Sequence, residues 1–271
     1  MKTHRTLSLL AVLIAVLTAC STVPVSERTQ LTLIPRDDLL ATSFQQYDRF
    51  LEENELSDNE EQARLVREVG TDIADAVGDY VRERGRQSEL AGYAWEFNLV
   101  ENDAVNAWCM PGGKVVVYEG IMPVAQDAGG LAVIMGHEIA HAVADHGNER
   151  MSQQLVFQLG GAALQTALED RPAQTRSLWL AAYGAGAQVG VLLPYSRLHE
   201  SEADRLGLIF MAMAGYDPRE AVSFWQRMSE LKGGAGPPEF LSTHPADQTR
   251  IENLREFMPT ALEYYEPHRG K

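Results

Sequence analysis

Residues 131–146 read LAVIMGHEIAHAVADH. An apolar run of that length predicts a helix buried on nearly every side. Yet it carries His137, Glu138 and His141 in its middle. Buried polar groups need partners, so the rest of the chain has to wrap this helix and supply them. That requirement limits the fold more than any other feature of the 271 residues.

Positions i and i+4 of a helix project about 40° apart, so His137 and His141 can present two imidazoles to one ion. Glu138 stands about 100° from His137. There it can hold a water beside a metal without binding the metal itself. A zinc ion brings the pKa of such a water down towards about 7, and a carboxylate can take its proton. The competing reading is two histidines satisfied within the core. The two readings differ over a third ligand, which a catalytic zinc needs. Metzincin spacing does not supply one, because the positions three and six after His141 hold Ala144 and Gly147. His146 is out of register for that pattern and reads as structural.

HESEADRLG, residues 199–207, does supply a candidate. Glu200 and Asp204 share one helical face, and Glu202 points about 160° away from Glu200. Glu200 can bind the metal while Asp204 accepts a hydrogen bond from the far nitrogen of a ligating histidine. Alone, this stretch would read as a solvated acidic face; beside HExxH it reads as ligand and support.

Four segments in order carry a resemblance: NAWCMPGGKVVVYEGI at 106–121, HEIAH at 137–141, ESEAD at 200–204 and STHPADQTRIENL at 242–254. Together they resemble the M48 metallopeptidases, in particular the periplasmic Oma1-like lipoprotein members, over about residues 40–258. The resemblance implies an α+β, mainly α fold: a gluzincin-like zinc peptidase domain with a small β-sheet beside the HExxH helix. It implies one zinc per chain on His137, His141 and Glu200. It places His244 by the metal, either stabilising an oxyanion or occupying the open metal position; the bland alternative is a residue that only opens the last helix. Arg250 either reaches the same cleft or makes a structural ion pair. Asn106 and Ala107 would lie on a strand beside the site, where an extended peptide can pair with the sheet edge. Relatives often carry other residues after Asn-Ala, so Cys109 is a local peculiarity.

The chain begins with a basic start, MKTHR, and an apolar run too short to span a bilayer comfortably, ending in LTAC at 17–20. This resembles a bacterial lipobox, with 1–19 a signal peptide and Cys20 lipidated. The alternative is an ordinary secretory signal with Cys20 in another use, such as a disulfide to Cys109. Ser21, where an aspartate would favour inner-membrane retention, points to the periplasmic face of the outer membrane. Residues 20–36 read as an irregular tether, 37–258 as the peptidase domain and 259–271 as a tail. Acids outnumber Lys and Arg, 38 to 23, a balance that excludes nucleic acid and anionic membrane surfaces as partners.

Between these landmarks the periodicity predicts helices over 37–53 and from Ser57, a cap, to Gly85. Strands follow at 93–102, 106–110 and 114–120, with PGG turning the last two. Two Ala- and Gly-rich segments, 155–168 and 178–193, read as a packed helical pair, with a membrane hairpin as the alternative. GGAGPP at 233–238 is a loop, and 244–257 a last helix with Pro245 in its first turn. The expected function is an endopeptidase acting on misfolded or misassembled envelope proteins, with outer-membrane assembly machinery as a possible partner. The rival is a chaperone-like assembly lipoprotein with a latent metal site.

Overall fold

A computed structural model of the chain describes residues 20–23, 26–169, 171, 173–187, 193–231 and 238–269. The expected signal segment 1–19, the side chain of Cys20 and most of the loop at 233–238 lie outside the described residues. The fold is α+β and mainly α, as expected. Helices α1 (Arg36–Glu53) and α2 (Glu60–Glu83) precede a sheet of β3 (Glu96–Val100), β4 (Ala107–Met110) and β5 (Lys114–Tyr118). A short α3 (Met122–Ala125) leads into α4 (Ala128–Val143), the HExxH helix. Then come α5 (His146–Ala167), α6 (Ala173–Ala187), α7 (Leu193–Met213), α8 (Glu220–Glu230), α9 (Glu239–Thr243) and α10 (Gln248–Tyr265).

The strands lie in the order β3-β5-β4, with β3 parallel and β4 antiparallel to β5. Side chains alternate across the sheet. Phe97, Leu99, Ala107, Val115 and Val117 enter the main core with α2 and α4. Val100 and Val116 face the other way, against Tyr47 and Phe50 of α1. The β4–β5 turn is tight because Gly112 and Gly113 both adopt positive φ. β4 is left as an edge strand.

The central helix α4 starts where the Asp127 carboxylate accepts from Gly130 N at 3.0 Å. From Gly130 to Val143 every residue is buried. α7 crosses it in backbone contact. A Cβ on Gly207 would come within 2.9 Å of Gly136 C and His137 N, so only glycine permits this approach. The crossing places the ESEAD face of α7 against the HExxH face of α4.

Several boundaries differ from the sequence reading. The cap of α2 is Asn59, which accepts from Gln62 N at 3.1 Å, rather than Ser57. Ser57 instead accepts from Asn59 N at 3.0 Å. The last helix begins after Asp247, which accepts from Arg250 N at 2.8 Å, so Pro245 lies before it. It continues past residue 258 to Tyr265, burying Ala261 and Tyr265. The segment expected as a tether forms an antiparallel hairpin of β1 (Cys20–Thr22) and β2 (Thr29–Leu31), closed by Val23 N to Arg28 O at 2.8 Å. It packs on α5 through Leu33 N to Ser152 Oγ at 2.8 Å. No helix among the described residues is long and apolar enough to cross a membrane.

Candidate metal centre

His137 and His141 from α4, Glu200 from α7 and His244 at the end of α9 converge, their ligand atoms all within 4.8 Å of one another. His137 Nε2 lies 3.1 Å from both His141 Nε2 and His244 Nδ1. Glu200 reaches all three rings, at 3.3 Å from His137 Nε2, 3.3 Å from His141 Nε2 and 2.9 Å from His244 Nδ1. Zinc bonds near 2.0–2.1 Å put neighbouring donors of a tetrahedral set about 3.3 Å apart. The spacing and the nitrogen-rich donor set therefore fit a single zinc. Three imidazole nitrogens and a carboxylate at these distances form a donor set that one cation satisfies together.

Glu138, next along α4, stays out of this cluster. Its Oε1 is buried without a hydrogen-bond partner and lies 3.4 Å from His244 Nε2. Burial raises its pKa from the ordinary carboxylate value, against the pull of His244 and His137. A buried carboxylate oxygen with a lifted pKa and no protein partner is suited to exchange a proton with a small molecule.

Behind His137, Asp204 Oδ1 lies 3.0 Å from Nδ1, and Arg250 Nη2 stands 3.2 Å from the same nitrogen. Arg250 holds that carboxylate from both sides, Nε to Oδ2 at 2.8 Å and Nη2 to Oδ1 at 2.6 Å. Its guanidinium lies 3.4 Å over the Trp225 ring. Arg250 Nη1 also stands 3.3 Å from Glu200, so the ion pair and the reach to the cleft, open alternatives from sequence, occur together. Burial and Arg250 lower the His137 pKa, but the contacts with Asp204 and Glu200 outweigh them and bring it up to about 9. Burial would raise Glu200, yet its three histidine partners hold it far below the carboxylate range.

Behind His141 lies a second polar cluster that sequence reasoning missed. His146 is buried and its Nδ1 sits 2.8 Å from His141 Nδ1. His146 Nε2 lies 3.0 Å from Glu202 Oε2. Burial, working against Glu202, brings His146 down to about 4, so it is neutral at pH 7. Arg28 from the N-terminal hairpin pairs with both Glu149, at 2.6 Å, and Glu202, at 3.1 Å. His199 Nε2 meets Glu149 at 2.8 Å. Glu202 does point away from Glu200, as helical phase requires, but it is buried rather than solvated. The signal available was His146 itself, five residues beyond His141.

A cleft of about 250 Å³ opens on the cluster, lined by Asn106, Ala107, Cys109, Glu138, His141 and His244. Asn106 and Ala107 thus stand where the sequence placed them, at the β4 edge. Asn106 O accepts from Tyr118 N at 3.1 Å, so the alternation of the ladder turns the backbone groups of Ala107 and Cys109 to the free edge. Asn106 Oδ1 already occupies Ala107 N, at 2.9 Å. Cys109 carries a free thiol, pushed up in pKa by burial and by Glu138.

A family model for peptidase family M48 matches residues 69–258. The mitochondrial metalloendopeptidase OMA1 of Saccharomyces cerevisiae is 36% identical over 192 residues, 66% of this chain and 51% of the relative. The Bos taurus metalloendopeptidase OMA1 is 33% identical over 253 residues, 90% of this chain and 47% of the relative. The beta-barrel assembly-enhancing protease of Yersinia pestis is 31% identical over 169 residues, 59% of this chain and 34% of the relative. The chain spans about half the length, or less, of the curated relatives it matches.

Proposed function

The chain belongs to peptidase family M48, and from that premise we propose that it is a zinc-dependent endopeptidase with Glu138 as general base. The observation that carries this reading is the meeting of two helices at His137, His141 and Glu200 beside a buried carboxylate with a free oxygen. Those three residues would hold one zinc per chain. The ion supplies a Lewis acid that polarises a scissile carbonyl and acidifies a water. Glu138 takes the proton from that water and delivers it to the leaving amine. Asp204 and Arg250 orient His137. An extended substrate pairs with the outward backbone groups of Ala107 and Cys109, with Asn106 at the end of that edge.

His244 stands with these three proposed ligands, its Nδ1 3.1 Å from His137 Nε2 and 2.9 Å from Glu200. With zinc held by His137, His141 and Glu200, a substrate carbonyl would need the room that His244 occupies, so His244 would have to move aside. Once displaced, its imidazole remains a donor for the oxygen that gains charge. Covering and catalysis are then two positions of one side chain.

The finer reading is a lipoprotein anchored through Cys20 at the periplasmic face of the outer membrane, clearing misfolded or misassembled envelope proteins. Its support is the LTAC sequence and the name of the Yersinia pestis relative, which ties that protein to β-barrel assembly. The Saccharomyces cerevisiae and Bos taurus relatives are named as mitochondrial, so the compartment follows the lipobox and not the family. Mass spectrometry of the membrane-extracted protein should find an acylated Cys20 at its N-terminus; an unmodified Cys20 removes the anchor. The covered metal corner favours one rival, a chaperone-like assembly factor with a latent site. Casein cleavage and aggregation suppression, compared for wild type and Glu138→Gln, separate them. Cleavage lost with the carboxylate supports the peptidase; aggregation suppression without any cleavage in the zinc-loaded wild type supports the rival.

A further inference from the structure

We propose that His146 is a positioning residue for the metal ligand His141, with Glu202 and Arg28 of the N-terminal hairpin fixing His146 in turn. The inference rests on the reading of His141 as a ligand. Its Nε2 faces the cluster, 3.1 Å from His137 Nε2 and 3.3 Å from Glu200. A nitrogen that binds metal carries no proton, so the proton of neutral His141 sits on Nδ1. Nδ1 donates to His146 Nδ1 at 2.8 Å. That leaves the His146 proton on Nε2, which donates to Glu202 Oε2 at 3.0 Å. Each link dictates the tautomer of the next, and no choice is left free along the chain.

Glu202 needs a cation to stay charged in so buried a place. Arg28 provides it, with Nε at 3.2 Å and Nη2 at 3.1 Å from Oε2. The same guanidinium forks onto Glu149, Nη1 to Oε1 at 2.9 Å and Nη2 to Oε2 at 2.6 Å. Glu149 is held from its other side by His199, whose ring stacks on His146 with centroids 4.3 Å apart. The far nitrogen of a ligating histidine is usually met by a carboxylate, carbonyl or water. Here an imidazole intervenes and carries the support to the hairpin of β1 and β2.

The test is zinc affinity of the full chain by chelator competition, with the visible spectrum of the cobalt-loaded protein and thermal melts in parallel. His146→Leu should weaken zinc binding about 10–100-fold and shift the cobalt bands. His146→Gln keeps an acceptor and a donor on one side chain and should restore most of the affinity and the spectrum. Arg28→Ala, at the edge of the cluster, should give a smaller loss, below about tenfold, and Arg28→Lys should recover part of it. Rescue by glutamine is the outcome that a packing role for His146 does not produce. Should His146→Leu fail to fold, the Gln and Arg28 variants decide. Wild-type affinity and an unchanged cobalt spectrum in Arg28→Ala, with Gln no better than any other folded variant, overturn the relay. The site reading fails separately, when His141→Ala binds zinc as tightly as wild type.

Discussion

The two histidines of HExxH are supported in different ways. His137 meets a carboxylate directly, and Asp204 is in turn clamped by Arg250 from the last helix. His141 meets another histidine, and its carboxylate and arginine lie one step further out, the arginine at the N-terminal end of the fold. One support is compact and assembled from α7 and α10. The other draws on α5, α7 and the hairpin. If the site holds zinc as proposed, a perturbation of the short support should weaken affinity more than one of the long support. The three acids of ESEAD serve three separate tasks: Glu200 in the donor cluster, Asp204 behind His137 and Glu202 behind His146.

The largest effect should come from the residue that belongs to neither support. Glu138→Gln should leave both in place, retain about one zinc per chain, and lower kcat about 10²–10⁴-fold. Metal analysis beside peptide kinetics checks both halves; zinc lost together with the carboxylate would make Glu138 a ligand and collapse the distinction. The next change strikes both supports at once. Gly207→Ala forces a methyl into backbone atoms of Gly136 and His137. The helices have to separate, at a cost of about 3 kcal/mol, and both supports lengthen. Chemical denaturation and chelator competition should fall together in this variant. Normal stability with normal zinc affinity would mean that the close crossing does not hold the site.

The short support was legible in the sequence and the long one was not, for a physical reason. Helical phase within HExxH and ESEAD is local geometry, so it gives the common faces of His137, His141, Glu200 and Asp204 without any tertiary information. It also gives the divergence of Glu202. What it cannot give is the neighbour on that divergent side, because His146 opens a different helix and Arg28 lies far away in the chain. Arg28 was hidden further by the shortness of β1 and β2, three residues each, which carry no measurable period. The same limit moved the caps. Ser57 and Asn59 both suit a helix start; Ser57 N is tied to Leu99 O at 2.9 Å and Asn59 caps, while Asp247 takes the start of the last helix from Pro245. Position 244 was legible as important, but its place beside His137 and Glu200 depends on where α9 ends.

Direct and indirect support can be compared within α7 itself. Asp204→Asn leaves the shape but removes the charge facing His137 and Arg250, and should weaken zinc about 10–100-fold. Glu202→Gln acts on His141 only through His146 and keeps an acceptor for it, so its effect should be the smaller. Chelator titration of the two purified variants side by side gives the ratio. A larger loss at Glu202 than at Asp204 would reverse the order of the two supports.

The smallest effect concerns stability, and it separates the supports by pH. Burial would raise Glu149, but its contacts with His199 and Arg28 outweigh that and hold the carboxyl down at about 2. A carboxyl whose folded pKa lies below its unfolded value, about 4.5 here, stabilises the fold fully above the unfolded value. That contribution fades as pH falls from about 4.5 towards 2. Arg28→Ala removes a main cause of the depression, so the variant should be less stable by about 2 kcal/mol at pH 7. This is less than for a fully buried pair, because Arg28 keeps 18% of its side chain exposed. The gap should narrow on acidification, since protonated Glu149 no longer needs the guanidinium. Denaturation of chelator-treated wild type and variant at several pH values between 7 and 3 measures it, with metal loss removed from both arms. A gap that stays constant across that range would show that Arg28 stabilises the hairpin by packing alone, and the charge link between the N-terminal segment and α7 would then carry none of the stability.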